Sequence, residues 1–427
     1  MDEMQIELRS PLRRFFLALV CLVLVGLYLQ WALRTYLASR LAAVPEASKL
    51  QKAIRLEPSN AEYRDLFGRY LALSGISLDE GIANYRIAVQ LNPYVAQYWL
   101  DLASAYQISG RVQEQEKSVE RAVQTDPTTP DVAWAAANFF LLQGNQERAL
   151  RNFRVVFAND PNPVTIDSAL QICWRATGDA NQLLDQALPR TPELYLSFLR
   201  LLISKQEVVA AENVWSHLIG LHQPFSTNLA LPYFRFLIAK QEVAAAETAW
   251  RQLAAVDPSL QPYFSTPENL IVNAGFEENM LNGGFDWWYE SSPHADLSID
   301  TSEFHSGTRS LSIAFDGRNP RDVGIAQFIP VKPNTDYDFS AEYRTEDIES
   351  ASGPRFAIVD AYTNASYVLT DDLLDTNPWR VQQARFQTGP NTNLVLLTIV
   401  RQPAAPLIRG KLWIDDLRLV EKANQDR

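Results

Sequence analysis

The sequence predicts a multidomain chain, α then β: a single transmembrane helix, an α-α superhelical solenoid, and an antiparallel β-sandwich. Three observations lead there. Phe15 to Leu33 is an apolar run of nineteen residues without a charge. Prolines fall at Pro58, Pro93, Pro127 and Pro161, at spacings of 35, 34 and 34. Beyond about residue 268, apolar and polar residues alternate in short runs broken by Gly, Asn and Thr.

The first run defines a transmembrane helix over 15–33, preceded by a cytoplasmic tail over 1–14 and followed by a linker over 34–46. As a helix it spans about 28 Å, close to one bilayer core. Tyr28 and Trp31 stand near its far end, where amphipathic rings favour the interface. Arg9, Arg13 and Arg14 precede it, against Arg34 and Arg40 behind. That bias puts the N-terminus in the cytoplasm and the bulk of the chain outside the inner membrane, periplasmic or extracytoplasmic. A cleaved signal peptide, which has a shorter apolar region, and a buried core helix are the alternatives.

The prolines keep time over 47–262. Five residues before the first three stand Ala53, Ala88 and Ala122, and before the fourth stands Val156. A proline lacks an N–H and clashes with the preceding turn, so it ends a helix. A small residue at a fixed distance marks a place where two helices approach closely. Pro189, Pro224 and Pro258 continue the beat, and Lys205-Gln206-Glu207-Val208 recurs 35 residues on as Lys240-Gln241-Glu242-Val243. A period near 34 indicates paired-helix repeats, about six of them, the fourth short or irregular.

The unit after Pro93 carries Trp99, Leu102, Ala103 and Tyr106, then Val119, Ala122 and Pro127. This resembles the tetratricopeptide repeat, with Ala for Gly and Val for Phe. The resemblance implies a superhelix whose groove receives peptides or partner domains. Phasing places Gln97, Leu100, Ser104, Gln107, Trp134, Asn138 and Leu141 on that groove. The alternative is that Trp134 packs on a neighbour and the polar residues are simply solvated.

Pro258, Pro262 and Pro267 crowd the end of the helical pattern. We read 263–268 as a linker, 269–421 as the sandwich and 422–427 as a tail. Leu311, Ile313 and Phe315 alternate with polar residues, as do Tyr337, Phe339, Ala341 and Tyr343, and then Leu397 and Ile399. Period two over short segments reads as antiparallel strands, and about 150 residues suit one jelly roll.

Five stretches in this half, taken in order, resemble the carbohydrate-binding modules of the CBM4/CBM9/CBM22-like jelly-roll group. They are Asn269 to Glu277, Phe285 to Trp288, His305 to Leu311, Gln327 to Tyr337, and Trp413 to Leu417. The resemblance implies a glycan stacked on aromatic rings, for which Trp287, Tyr289, Tyr362 and Tyr367 are the candidates. It also implies a structural calcium ion held by Glu277, Asp415 and Asp416. The alternative for these carboxylates is a hydrogen-bonded tie between the two terminal strands.

The net charge of −12 leaves no basic surface for a phosphate backbone, so nucleic acid is not an expected partner. Cys21 and Cys173 are too few, and too differently placed, to report the compartment. Among four histidines, His217 and His222 are five apart, which is not a helical metal spacing. No phosphate loop and no serine elbow occurs. The expected function is therefore non-enzymatic and needs no cofactor. We expect a membrane-anchored scaffold that docks protein partners of envelope or polysaccharide assembly and binds glycan through its sandwich. A pure protein scaffold, and more remotely a polysaccharide-remodelling enzyme, are the alternatives.

Overall fold

The computed structural model describes residues 11–320 and 322–422. Most of the expected N-terminal tail and nearly all of the C-terminal one lie outside the described residues. The chain forms two compact units, 1–189 and 190–427.

The first unit opens with α1 (Pro11–Ala42), 32 residues long, whose first buried residue is Ala38. The helix is long and apolar enough to cross a membrane. None of its most apolar stretch is buried, so the reading as a core helix finds no core around it. Its far end differs from the expected linker. Residues 34–42 continue the helix, and Ala38 and Ala42 pack on Leu50 and Ala53 of α2 (Ala47–Leu56) and on Tyr63 and Phe67 beyond. Apolar residues at 38, 41 and 42 give this last stretch a buried side, which a charge-free window cannot register.

Four helix pairs follow in this unit. They are α3 (Ala61–Leu73) with α4 (Leu78–Leu91), α5 (Ala96–Ile108) with α6 (Val112–Thr125), α7 (Pro130–Leu142) with α8 (Gln146–Asn159), and α9 (Pro163–Thr177) with α10 (Ala180–Gln186). The timing residues explain the joints. Ala53, Ala88, Ala122 and Val156 are all fully buried. Each accepts, at its carbonyl, the backbone N–H of the residue just before the proline: Glu57, Asn92, Asp126 and Asp160. The helix thus closes its last hydrogen bond and the proline prevents another turn. In the fourth pair α10 has only seven residues, which is the irregularity expected there.

The second unit begins with two further pairs, α11 (Pro192–Lys205) with α12 (Val208–Ile219) and α13 (Thr227–Ala239) with α14 (Val243–Val256). A 3-10 turn, Pro258–Tyr263, leads into two five-stranded antiparallel sheets. Their strands are β1 (Trp288–Tyr289), β2 (Ala295–Asp300), β3 (Ser310–Asp316), β4 (Asp322–Pro330), β5 (Asp336–Glu349), β6 (Pro354–Asp360), β7 (Ser366–Leu369), β8 (Asp375–Gln387), β9 (Leu394–Arg401) and β10 (Arg409–Glu421). One sheet runs β1-β4-β9-β6-β7 and the other β2-β3-β10-β5-β8. The alternating residues fill the space between them: Leu311, Ile313, Phe315, Tyr337, Phe339, Ala341, Tyr343, Leu397 and Ile399 are all in one buried cluster. A one-residue slip in any of these strands would turn its apolar set outward, so the alternation fixes register as well as face.

Candidate functional site

The sandwich and the last helix pair share an aromatic seam. Trp250 of α14 donates its indole N–H to the Tyr263 carbonyl at 3.0 Å and meets the Phe285 ring edge-on, 6.3 Å between centroids. Tyr263 donates its hydroxyl to the Asn279 carbonyl at 2.7 Å. Arg235 of α13 lies 4.6 Å above the Trp288 ring. The helical surface therefore covers part of the sandwich, and the four candidate aromatics must be judged against that.

Trp287 is 2 % exposed. Its ring stacks on Phe276 at 5.0 Å and its N–H is donated to the Asn273 carbonyl, so it offers no face to a ligand. Tyr362 donates its hydroxyl to the Ile238 carbonyl of α13 at 3.0 Å, and burial raises its pKa to about 12. It is a seam residue. Tyr367 stacks on Phe386 and its hydroxyl shares a 2.6 Å hydrogen bond with Thr392 while accepting from the Gly389 N–H. These three rings are engaged in packing.

Tyr289 differs. It stands at the end of β1, is 39 % exposed, and has its backbone N–H tied to Asn282. It lines a cavity of about 440 Å³ together with Glu290, His294, Asp296 and Asp316. His294 and Asp316 are 3.2 Å apart, and the half-buried imidazole helps hold the Asp316 carboxyl below its usual range. Tyr289 is the one candidate aromatic that is exposed and lines this cavity, beside three carboxylates and an imidazole. Sequence alone did not separate Tyr289 from Trp287, two positions away in the same aromatic run.

The three carboxylates expected to hold calcium all engage the loop 305–309. Buried Asp415 accepts from the backbone N–H of His305 and Ser306 at 2.8 and 3.0 Å, and from that of Asp416. Asp416 pairs with the His305 imidazole at 2.6 Å and accepts from the Ser306 hydroxyl. Glu277 accepts from Thr308 and Arg309. Calcium needs six to eight oxygen ligands. Here the oxygens are already turned towards N–H and O–H donors, and among the described residues no three acidic, His or Cys groups gather as a cation site. The arrangement does not fit calcium. It is a hydrogen-bonded tie, but not the expected one between two terminal strands: the first loop of the sandwich and β10 are each bonded to the 305–309 loop. Burial raises the Asp415 pKa, while the N–H groups of Thr308 and Arg309 lower that of Glu277.

On the first unit, Gln97, Ser104 and Gln107 are exposed, and Leu100, Trp134, Asn138 and Leu141 are half-buried. Trp134 meets Phe153 edge-on at 5.7 Å, so part of its ring serves packing. Asn138 donates to the Trp134 carbonyl and Gln97 to Asp101. Beside them lies a group that periodicity does not reveal: Arg69 pairs with both Asp65 and Asp101. Asp65 is 2 % exposed, and burial, then the Asp101 charge, raise its pKa to about 8. The sequence signal it leaves is Arg69 four residues on, at the spacing of a helical ion pair.

With this geometry in view, a family model described as Carbohydrate binding domain matches residues 268–406. The solved structure "CBM4 structure and function" is similar at 12% identity and a TM-score of 0.27, over 36% of this chain and 99% of its own. MamA protein is similar at 13% identity and 0.32, over 42% of this chain and 95% of its own. YrrB, a TPR protein with an unusual peptide-binding site, is similar at 14% identity and 0.25, over 50% and 94%. No curated protein matches the chain. The described residues thus form helix pairs followed by a two-sheet antiparallel sandwich, and the match to the carbohydrate-binding model falls on the sandwich.

Proposed function

We propose that this chain is a membrane-anchored scaffold. Its helix pairs dock protein partners outside the inner membrane, and its sandwich holds a glycan at the cavity beside Tyr289. The observation that carries the glycan reading is the open ring of Tyr289 among Glu290, His294, Asp296 and Asp316. The exposed apolar length of α1 supports the anchor. Anchoring would raise the local concentration of both contacts, so two weak contacts act as one stronger one.

A second reading, a scaffold that binds protein only, is favoured by one observation: Tyr362 and Trp287 are consumed by packing, and part of the sandwich is covered by α13 and α14. Affinity electrophoresis of the full chain in detergent, through gels containing soluble polysaccharides, separates the two. The first reading expects retardation by at least one gel and its loss in Tyr289→Ala, with circular dichroism unchanged. Equal mobility in every gel, or retardation indifferent to Tyr289→Ala, overturns the Tyr289 site. The anchor is tested by carbonate extraction of membranes: the full chain stays in the pellet, and release of the full-length chain contradicts it.

A further inference from the structure

The first helices of the first three pairs end alike. α3 stops at Leu73, α5 at Ile108 and α7 at Leu142. Each residue stands two before a left-handed turn glycine: Gly75, Gly110 and Gly144, with φ of 70°, 71° and 73°. The three therefore occupy equivalent points, and α5 neighbours both α3 and α7. All three are strongly exposed, at 78%, 64% and 74%. The later first helices end on Thr177, Lys205 and Ala239 instead. Single exposed aliphatics are ordinary. Three at equivalent points of three consecutive repeats mark one apolar edge, with Ile76 and Val112 exposed in the adjoining turns.

Neighbouring helices pack about 8–10 Å apart. Residues seven apart on a helix lie about 10.5 Å apart along its axis, so an amphipathic helix can present one apolar side chain to each repeat. The turns beside the patch carry Asp79, Glu80, Glu114 and Glu147 against Arg111 and Arg148. Arg111 is paired with Asp79, Arg148 with Glu116 and Glu120, and Arg151 with Glu147, which leaves Glu80 and Glu114 to set the sign of the edge. An anionic lipid surface would be repelled by this edge, and a cationic helix attracted.

We propose that the edge formed by Leu73, Ile108 and Leu142 docks a basic amphipathic helix of a partner protein. This deepens the reading of the helix pairs as a protein-docking element and rests on it, but it uses a different surface from the groove of Gln97, Ser104 and Gln107. The test is fluorescence anisotropy on the full chain in nanodiscs of zwitterionic lipid. The probe is a labelled helical peptide with Leu at every seventh position flanked by Lys. Wild type is expected to bind it about tenfold more tightly than the same peptide with Glu for Lys. The triple variant Leu73→Ser, Ile108→Ser, Leu142→Ser is expected to lose that binding while keeping its circular dichroism. No binding by wild type, equal affinity for both peptides, or full affinity in the triple variant overturns the proposal. So does binding of phosphatidylglycerol vesicles, but not peptide, through the same three residues. Gln97→Ala with Gln107→Ala should leave peptide binding intact. If those variants also leave every partner contact of the protein intact, it is the groove reading that fails, not this one.

Discussion

The indole of Trp250 lies against the backbone of Gly284: a Cβ placed there would stand 2.4 Å from Cζ3 of the ring. Gly284 also has φ of 63°, which a side chain resists. One contact thus locks α14 to the first loop of the sandwich. Gly284→Ala should cost about 3 kcal/mol, strain and clash together. Trp250→Ala should cost about 3–5 kcal/mol by truncating a buried ring. Denaturant unfolding checks both; a loss under about 1 kcal/mol in both variants would remove the seam from the account.

The timing residues make the second prediction. Ala122 is fully buried where α6 meets its neighbours, so Ala122→Leu should overpack the joint and cost about 1–3 kcal/mol. Ala239→Leu, at an exposed helix end, should stay within about 0.5 kcal/mol. Equal effects at the two sites would contradict the repeat reading.

The third prediction concerns pH. Burial raises Asp65 to about 8 and Asp286 to about 7, and the Asp416 carboxylate raises His305. A group whose pKa is higher folded than unfolded binds its proton on folding. Its stability is present below the unfolded pKa and is lost as pH rises through the folded value. Glu277 is lowered by its N–H partners, so its contribution is instead lost in acid, below about pH 4.5. Stability should therefore peak near pH 5 and decline towards pH 8. Asp65→Asn and Asp286→Asn should each flatten that decline, read as thermal midpoints across the range. A midpoint that rises from pH 5 to 8 would have the wrong sign.

The tie between Glu277, Asp415, Asp416 and the 305–309 loop makes the fourth. Asp415→Asn sets an amide N–H against backbone donors and should cost about 2–3 kcal/mol. A calcium chelator should leave the thermal midpoint of wild type unchanged. A fall on chelation, restored by added calcium, would show that the carboxylates turn from these donors to a cation.

Much of the frame was legible in the sequence because it repeats. Ala53, Ala88 and Ala122 announced their burial by recurring at one distance from a proline, and Leu311, Ile313 and Phe315 by alternating. Even the weak fourth unit showed as a broken rhythm, where α10 is a stub. What was not legible depends on partners far along the chain. Trp287 and Tyr289 share a run of aromatics, and no local pattern says that one stacks on Phe276 while the other lines a cavity. Tyr362 became a seam residue through the Ile238 carbonyl, 124 positions away. Residues 34–42 read as a linker because a window for charge-free length is blind to the packing of Ala38 and Ala42.

The central claim, an anchored scaffold whose sandwich holds glycan beside Tyr289, is tested most directly by hydrogen exchange. The full chain in detergent would be compared with and without the polysaccharide whose gel retards it. The account predicts slowed exchange at 289–297 and 314–316, with the seam around Trp250 and Tyr362 unchanged. Protection that spares the Tyr289 cavity and falls elsewhere would contradict it.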